Sequence, residues 1–304
     1  MKAIMRKMSG TRDSTKLGSI SSLLKELKEF DRESGFVYFF RGHSRFQFKL
    51  IPSIYRDEKL IANENIIIKE LMLRCPNDFV GHKSKFQSLV RMQHYSLPTR
   101  LLDITANPLI ALYFASEYKD QPQVDGEILV FRIPKDQIKY FDSDTVSVLS
   151  NISMLPSNFA LPDGNLDRAG FNDTSQIHKL LNEVRKEKPY FEPYIFEPHL
   201  ESVVCVKPQL DNERIIKQEG AFLLFGVNRC KTRPAVVNRS WLPANFGSRR
   251  LLVNRERKAV IREQLEVLGI TQAAIFPEID NVADFIKQSY INSTQSRITE
   301  TRSE

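Results

Sequence analysis

The most informative segment of the chain is residues 93–105, which read QHYSLPTRLLDIT. It interleaves a histidine, a tyrosine, an arginine, an aspartate and two threonines with leucines, and apolar or helical sequence lies on both sides. Because an unpaired buried polar group costs about 1–3 kcal/mol, these side chains must find partners or serve a ligand. Pro98 should end the helix that leads in. The segment therefore predicts a half-buried polar site at a helix end.

The composition is that of a globular protein. The chain has 304 residues, 41% of them hydrophobic and 27% charged, enough for one large domain or two small ones. No apolar run approaches the ~20 residues that cross a bilayer, and residues 1–8 lack the apolar core of a secretory signal. We therefore expect a cytoplasmic protein without membrane association. The spacing of the three cysteines and five histidines predicts neither a disulfide framework nor a metal site.

The charge balance points to anionic partners. A formal net charge of +7 favours nucleotides, nucleic acid or an acidic protein. Residues 1–18 are polar and basic, and we expect a flexible arm there and a second flexible tail at 291–304.

Hydrophobic periodicity predicts both strands and helices, and we expect them to form an α+β fold with a mixed, partly split sheet flanked by helices. Strands that should share this sheet are predicted near 36–41, 127–133, 203–206 and 220–226. Helices are predicted near 58–80, 84–95, 109–116, 175–186, 256–268 and 281–290. Residues 141–172 show no period and predict a long loop or insertion, and 273–277 predict a short strand.

A charged residue directly follows the first predicted strand. Arg41 comes straight after the aromatic run 36–40, and the neighbouring Gly42 lets a ligand or another backbone approach closely. A guanidinium in this place either binds an anion, such as a nucleotide phosphate, or pairs with a carboxylate at the edge of the core.

Four segments together resemble the FRG domain family, named for a Phe/Tyr-Arg-Gly motif. The motif here is Phe40-Arg41-Gly42, with LIPSIYR at 50–56. The other segments are HYSLPTRLLD at 94–103 with NPLIALYFA at 107–115, QEGAF at the end of 214–222, and FPEID within 270–280. The resemblance covers residues 19–290. The family more often has Gly where Ser96 stands, Trp where Ile104 stands and Gln where Glu219 stands.

The resemblance implies an architecture similar to that of ADP-ribosyltransferases, with NAD as a substrate. That architecture has an arginine on the first strand, a polar middle motif and a Gln/Glu motif that enters a later strand. The residues expected to hold NAD are Arg41, Gly42, His94, Tyr95, Arg100 and Gln218. Those expected to act in catalysis are Glu219, Asp103 and His94.

The expected roles follow from the chemistry of glycosidic cleavage. Arg41 would bind the pyrophosphate through charged hydrogen bonds, and His94 and Tyr95 would orient the ribose and stack on nicotinamide. Glu219, or else Asp103, would hold a ribose hydroxyl and stabilise the positive charge that develops. The acceptor would be a nucleic acid, with RNA favoured by the basic charge, or a protein. The family analogy implies a toxin of a toxin–antitoxin or phage-defence system with a dedicated antitoxin.

Three other interpretations use the same residues. The chain could hold a nucleotide or nucleic acid without turnover. It could be a metal-free nuclease with His94 as general base and His43 and Arg100 as partners. Alternatively, Arg100 and Asp103 could simply pair with each other and join two elements, and Glu219 could be only a solvated side chain.

Overall fold

The computed structural model describes residues 14–28, 33–117, 124–164, 166–242 and 250–278. Within these ranges the strands form an eight-stranded sheet in the order β1-β10-β4-β2-β3-β7-β6-β5 and a two-stranded ribbon of β8 and β9. The strands are β1 (Ser14–Leu17), β2 (Phe36–His43), β3 (Leu101–Thr105), β4 (Gly126–Pro134), β5 (Ile138–Tyr140), β6 (Val203–Lys207), β7 (Gly220–Phe225), β8 (Val227–Asn228), β9 (Cys230–Pro234) and β10 (Arg250–Val253). The four predicted strands are confirmed as β2, β4, β6 and β7 of one sheet.

The sheet is mixed, and it is nearly divided in its middle. Most neighbours run antiparallel, whereas β1 with β10 and β5 with β6 run parallel. The two central strands, β2 and β3, are joined by a single residue pair, Phe40 with Thr105. Two four-stranded halves therefore meet at one point, and a cleft opens beside it.

Helices cover the sheet. They are α1 (Ile20–Lys28), α2 (Glu58–Ala62), α3 (Glu64–Arg74), α4 (Lys85–His94), α5 (Pro108–Ala115), α6 (Asp144–Asn151), α7 (Arg168–Asn172), α8 (Ser175–Arg185), α9 (Glu197–Leu200), α10 (Glu213–Lys217), α11 (Lys258–Val267) and α12 (Gln272–Ile275). Ser84 caps α4 by accepting a hydrogen bond from the Gln87 amide, and Asn107 caps α5 in the same way from Leu109. No helix within the described ranges is long and apolar enough to cross a bilayer.

Helix α4 ends earlier than Pro98 would require. Ser96 has a left-handed backbone, with φ of 63°, and the amide of Leu97 donates to the carbonyl of Met92 at 3.1 Å. This left-handed turn closes the helix at His94, so the prediction that Pro98 ends it was wrong. A backbone of this kind favours glycine.

The expected flexible arm at 1–18 was partly wrong. Residues 14–17 form β1, which pairs in parallel with β10 through register partners such as Leu17 and Val253. No local sequence pattern predicts this strand, because its pairing partner lies more than two hundred residues away. Residues 1–13, the predicted helix at 281–290 and the tail at 291–304 lie outside the described residues.

The segment 141–172, predicted to be a long loop or an insertion, is not a long loop. It contains α6, α7 and a 3-10 turn, Ile152–Met154. Helix α6 is rich in serine and asparagine but lies in the core, where Asn151 donates to the Ser147 carbonyl at 2.9 Å. Tertiary burial of Val146, Val148 and Leu149 therefore outweighs the weak helix propensity of their neighbours.

Two further boundaries differ from the prediction. The helix expected at 58–80 is interrupted at Asn63 and ends at Cys75, just before Pro76. The strand expected at 273–277 was wrong, because those residues belong mostly to α12. Thr271 caps that turn by accepting a hydrogen bond from the Ala274 amide at 3.1 Å.

Gly42 is where α5 crosses β2. A Cβ atom at this position would lie 1.9 Å from the Ala111 carbonyl oxygen and 2.7 Å from the Ala115 amide nitrogen. Another backbone, that of α5, therefore accounts for the close approach that Gly42 allows.

We expect Gly42→Ala to lower the free energy of unfolding by about 1–3 kcal/mol, because the new methyl group must push α5 away from the sheet. Urea denaturation measures this change. Gly18→Ala is the matched control, since a Cβ there would meet its nearest atom at an ordinary 3.5 Å. Equal stability of the two variants would contradict this account of Gly42.

Candidate functional site

A cleft with a volume of about 130 Å³ opens beside the split between β2 and β3. Its apolar wall comes from both halves of the sheet and from α5 and α10. These apolar residues include Phe40, Ile104, Ile110, Phe114, Ile215 and Phe222. Its polar residues are Arg41, His94, Asp103, Thr105, Arg214 and Gln218. An apolar cleft with a few convergent polar groups is typical of a small-molecule site.

Arg41 spans the split between the strands. Its Nη1 donates to the backbone oxygen of Asp103 at 2.5 Å, and its Nε donates to Nε2 of His43 at 3.2 Å. A side chain thus supplies a cross-strand hydrogen bond where the backbone ladder is missing. Burial lowers the pKa of Arg41 to about 10, although Asp103 opposes the shift, so the guanidinium stays charged at neutral pH. Its Nη2 makes no hydrogen bond with the described residues and remains available to an anion.

Asp103 places a carboxylate beside this guanidinium. Its side chain is 49% exposed, and Oδ2 lies 4.0 Å from Nη1 of Arg41. Gln93 holds the carboxylate by donating from Nε2 to Oδ2 at 2.7 Å. The second oxygen, Oδ1, accepts no hydrogen bond from the described residues, so it can accept one from a ligand hydroxyl.

His94 is the last residue of α4 and forms part of the cleft wall. The residue is only 8% exposed, and its Nδ1 is buried without a hydrogen-bond partner among the described residues. Burial lowers the pKa of His94 to about 4, reinforced by Arg214 and opposed by Asp103. The imidazole is therefore neutral at physiological pH, and its unprotonated nitrogen can accept a hydrogen bond.

Helix α10 contributes Arg214 to the cleft, and Gln218, the residue that directly follows this helix, also lines it. Arg214 donates from Nη1 to the His94 carbonyl at 3.0 Å and lies 4.6 Å from the centre of the Phe276 ring. Gln218 donates from Nε2 to the Ile275 carbonyl at 3.1 Å. The backbone oxygen of Gln218 accepts a hydrogen bond from the Thr105 hydroxyl at 2.6 Å. This bond fixes α10 against β3 at the edge of the cleft.

Sequence reasoning assigned no role to Arg214 or Thr105, although both line the cleft. The signal for Arg214 was its spacing of four residues from Gln218, which puts both on one side of a helical turn. Thr105 gave no comparable signal, because its place is set by the pairing of β3 with β7.

Five predicted site residues meet at the cleft: Arg41, Gly42, His94, Asp103 and Gln218. Tyr95 and Glu219 do not line it. Tyr95 is 56% exposed and stacks under the Arg91 guanidinium, 4.7 Å from the ring centre. Glu219 has a left-handed backbone with φ of 46°, and its exposed carboxylate accepts a hydrogen bond from Asn107 at 2.9 Å. This left-handed turn between α10 and β7 aims Glu219 at Asn107, outside the cleft.

Arg100 does not line the cleft either, and it does not pair with Asp103. It is fully buried, and its Nη2 and Nε donate to the Glu64 carboxylate at 2.5 and 3.0 Å. Lys231 lies 3.2 Å from the same carboxylate and also donates to the carbonyl oxygens of Ser153 and Leu155. Burial alone would raise the pKa of Glu64, but the two cations outweigh it and lower it. These contacts indicate a structural role for Arg100.

His43 is also unsuited to the acid–base role that the nuclease interpretation gave it. The residue is 3% exposed and does not line the cleft. Burial, reinforced by Arg41, Arg56 and Arg250, lowers the pKa of His43 to about 3. The ring remains neutral and serves as the acceptor that holds Arg41 in place.

One comparison with known proteins gives a match. Residues 37–123 match the model of the FRG domain family. No curated protein and no solved structure matches. The matched segment is shorter than the 19–290 of the sequence resemblance. It includes Arg41, His94 and Asp103, whereas Arg214 and Gln218 lie beyond it.

We expect Arg100→Met to lower the free energy of unfolding by about 3–5 kcal/mol, because it removes the two hydrogen bonds that the buried Glu64 carboxylate accepts from Arg100. Arg74→Met is the matched control. Arg74 makes an exposed pair with Glu70 on α3, at 2.9 Å, which is worth less than about 1 kcal/mol. Urea unfolding of both variants tests this, and an unchanged midpoint for Arg100→Met would contradict it.

We also expect the free energy of unfolding to fall at acidic pH because of the lowered pKa of His94. Between pH 6.5, its ordinary pKa, and about 4, the unfolded chain binds a proton that the folded chain does not. Stability should therefore rise with pH across this window, by as much as about 3 kcal/mol from this residue. His94→Gln should flatten the slope, whereas His178→Gln, at an exposed histidine, should keep it. Unfolding free energies at several pH values provide the measurement, and identical slopes would contradict the assignment.

Proposed function

We propose that this chain, which carries an FRG domain over residues 37–123, is an NAD-dependent ADP-ribosyltransferase. We assign the catalytic carboxylate to Asp103 rather than Glu219. The observation that carries the proposal is the pairing of a charged guanidinium with a half-exposed carboxylate, 4.0 Å apart, at one apolar cleft.

Arg41 is suited to bind the pyrophosphate of NAD. Its Nε and Nη1 are held by His43 and the Asp103 backbone, so Nη2 is fixed in direction before any ligand arrives. A preorganised guanidinium gives up little side-chain entropy on binding, and its hydrogen bonds to phosphate are strong because both partners are charged. The apolar surroundings strengthen this attraction further, since they exclude water.

Asp103 is suited to stabilise the positive charge that develops on the ribose. Its Oδ1 can accept a hydrogen bond from a ribose hydroxyl, while Gln93 keeps the carboxylate from rotating. A fixed negative charge beside the ribose favours the oxocarbenium-like transition state over the ground state. The aromatic side chains of Phe40, Phe114 and Phe222 offer an apolar wall for the nicotinamide ring.

The cleft accommodates only part of a dinucleotide. Its volume is about 130 Å³, whereas cavities that hold whole ligands typically measure about 300–1,000 Å³. The proposal therefore places the nicotinamide ribose and the pyrophosphate at the split, with the rest of NAD outside this cleft. The unpartnered Nδ1 of His94 supports the presence of a polar ligand group there.

A second candidate is a nucleotide-binding module without turnover. It is favoured by the position of Glu219, since the carboxylate of the Gln/Glu motif does not line the cleft. In this case Asp103 would only neutralise and orient Arg41. The two candidates make the same prediction for Arg41 and opposite predictions for Asp103.

We expect Arg41→Ala to weaken NAD binding by about ten- to a hundredfold, because charged hydrogen bonds are each worth about 1.5–3 kcal/mol. Arg41→Lys should stay impaired, since a point charge does not reproduce the planar fork. Asp103→Asn should instead lower the rate of nicotinamide release by about a hundredfold with little change in Kd. Calorimetric titration with NAD, beside a nicotinamide-release assay, measures both quantities.

Glu219→Gln is the matched control and should keep both binding and turnover. An unmodified protein that binds no NAD, with or without RNA, would contradict the proposal. Binding of NAD without release of nicotinamide would instead support the nucleotide-binding module without turnover.

A further inference from the structure

A second cavity, with a volume of about 140 Å³, adjoins the cleft. It lies between α4 and the segment 208–215, and it shares two wall residues with the cleft, His94 and Ile215. A group bound in the second cavity would therefore lie next to the cleft, beside the two wall residues that the cavities share.

The second cavity combines apolar walls with amides and one free carboxylate. Phe86, Val90 and Pro208 supply apolar surface. Gln87 donates from Nε2 to Oε1 of Gln209 at 3.0 Å, which leaves the Gln209 amide nitrogen free to donate to a ligand. Asp78 is neutralised by Arg91 at 2.7 Å, whereas Asp211 makes no hydrogen bond or salt bridge with the residues that the structure describes.

His94 also points to a ligand at this junction. Its Nδ1 is buried without a partner among the described residues. A buried ring nitrogen without a partner is costly unless a ligand group satisfies it. Because the ring is neutral at physiological pH, its unprotonated nitrogen can accept a hydrogen bond there.

We propose that the second cavity is the acceptor subsite and receives a nucleobase that carries an exocyclic amino group. The inference rests on the proposed ADP-ribosyl transfer. A nucleobase presents flat faces to apolar walls and an edge with both donors and acceptors. The Asp211 carboxylate accepts from the amino group, and the free Gln209 amide donates to a ring nitrogen or carbonyl.

A protein acceptor fits this cavity less well. The ammonium of lysine and the guanidinium of arginine only donate hydrogen bonds, so either would use the Asp211 carboxylate but not the exposed Gln209 amide, whereas a nucleobase edge can use both. The formal charge of +7 also favours a polyanion that brings the base with it.

The transfer step balances without a further reactant. The amino nitrogen forms a bond to C1′ of the nicotinamide ribose, and the bond from C1′ to nicotinamide breaks. The electron pair of that bond leaves with nicotinamide, which becomes neutral. The amino nitrogen loses one proton, which passes to water.

The test uses single-stranded RNA homopolymers with the full chain and labelled NAD. Poly(A), poly(C) or poly(G) should accept label on the base, and poly(U) should not, because uracil has no exocyclic amino group. Asp211→Asn and Gln209→Ala should each lower kcat/KM for the RNA by about tenfold, while Kd for NAD stays within about twofold. Asp136→Asn, at an exposed carboxylate that lines neither cavity, should leave both values unchanged.

Three results would overturn the inference. If either variant weakens NAD binding as much as it slows transfer, the cavity holds part of NAD. If poly(U) or a protein takes the label instead, the acceptor is of another class. If the unmodified protein binds no NAD, the proposed function is wrong, whatever the second cavity binds. The nucleobase site is then tested by RNA binding alone, and equal RNA affinity of the unmodified protein and Asp211→Asn would overturn it.

Discussion

The buried cluster of Glu64, Arg100 and Lys231 is the constraint on which the rest of the molecule depends. One carboxylate faces two cations in a part of the core where all three side chains are at most 1% exposed. Bringing charges out of water costs several kcal/mol each, so the cluster is stable only with good geometry and full hydrogen bonding. Arg100 also donates to the Phe225 carbonyl, and the Phe225 amide donates back to Arg100. The cluster thereby ties α3, β9 and the turn at 152–154 to the start of β3, the strand that carries Asp103 and Thr105.

The candidate site exists because the hydrogen-bonded ladder between β2 and β3 is almost absent. A continuous ladder between β2 and β3 would bury their backbone groups against each other and leave no room for a ligand. With one residue pair joining the strands, Arg41 bridges the split through its side chain and remains partly available to an anion. Burial in the sheet also keeps His43 neutral, so it holds Arg41 as an acceptor without adding charge. The fold thus places the Arg41 guanidinium and the Asp103 carboxylate 4.0 Å apart, so that each keeps hydrogen-bonding capacity for a ligand. Such pairs often mark functional sites.

Local patterns were reliable where burial and periodicity coincide. The aromatic run at 36–40 and the apolar run at 220–226 predicted central strands, and the periodic segments at 84–95 and 109–116 predicted the helices that deliver His94 and cover Gly42. They failed where tertiary contacts override propensity. The serine-rich α6 is helical because its valines and leucine enter the core, and β1 exists because β10 offers it an edge. Single-sequence patterns contain no information on either partner, since both lie far away along the chain.

The sequence by itself determined which residue types could form a site: the Arg41 motif after a strand, the polar segment at 93–105, and the Gln218-Glu219 pair before another strand. Only the tertiary structure decided which of these side chains meet. Arg100 and Asp103 are three residues apart, yet strand geometry and the position of Glu64 send one into the core and leave the other at the cleft. Gln218 and Glu219 are neighbours, yet the left-handed backbone at Glu219 turns one toward α12 and the other toward Asn107. The direction of a side chain depends on backbone dihedrals and on partners distant in sequence, and neither is encoded in residue type or spacing.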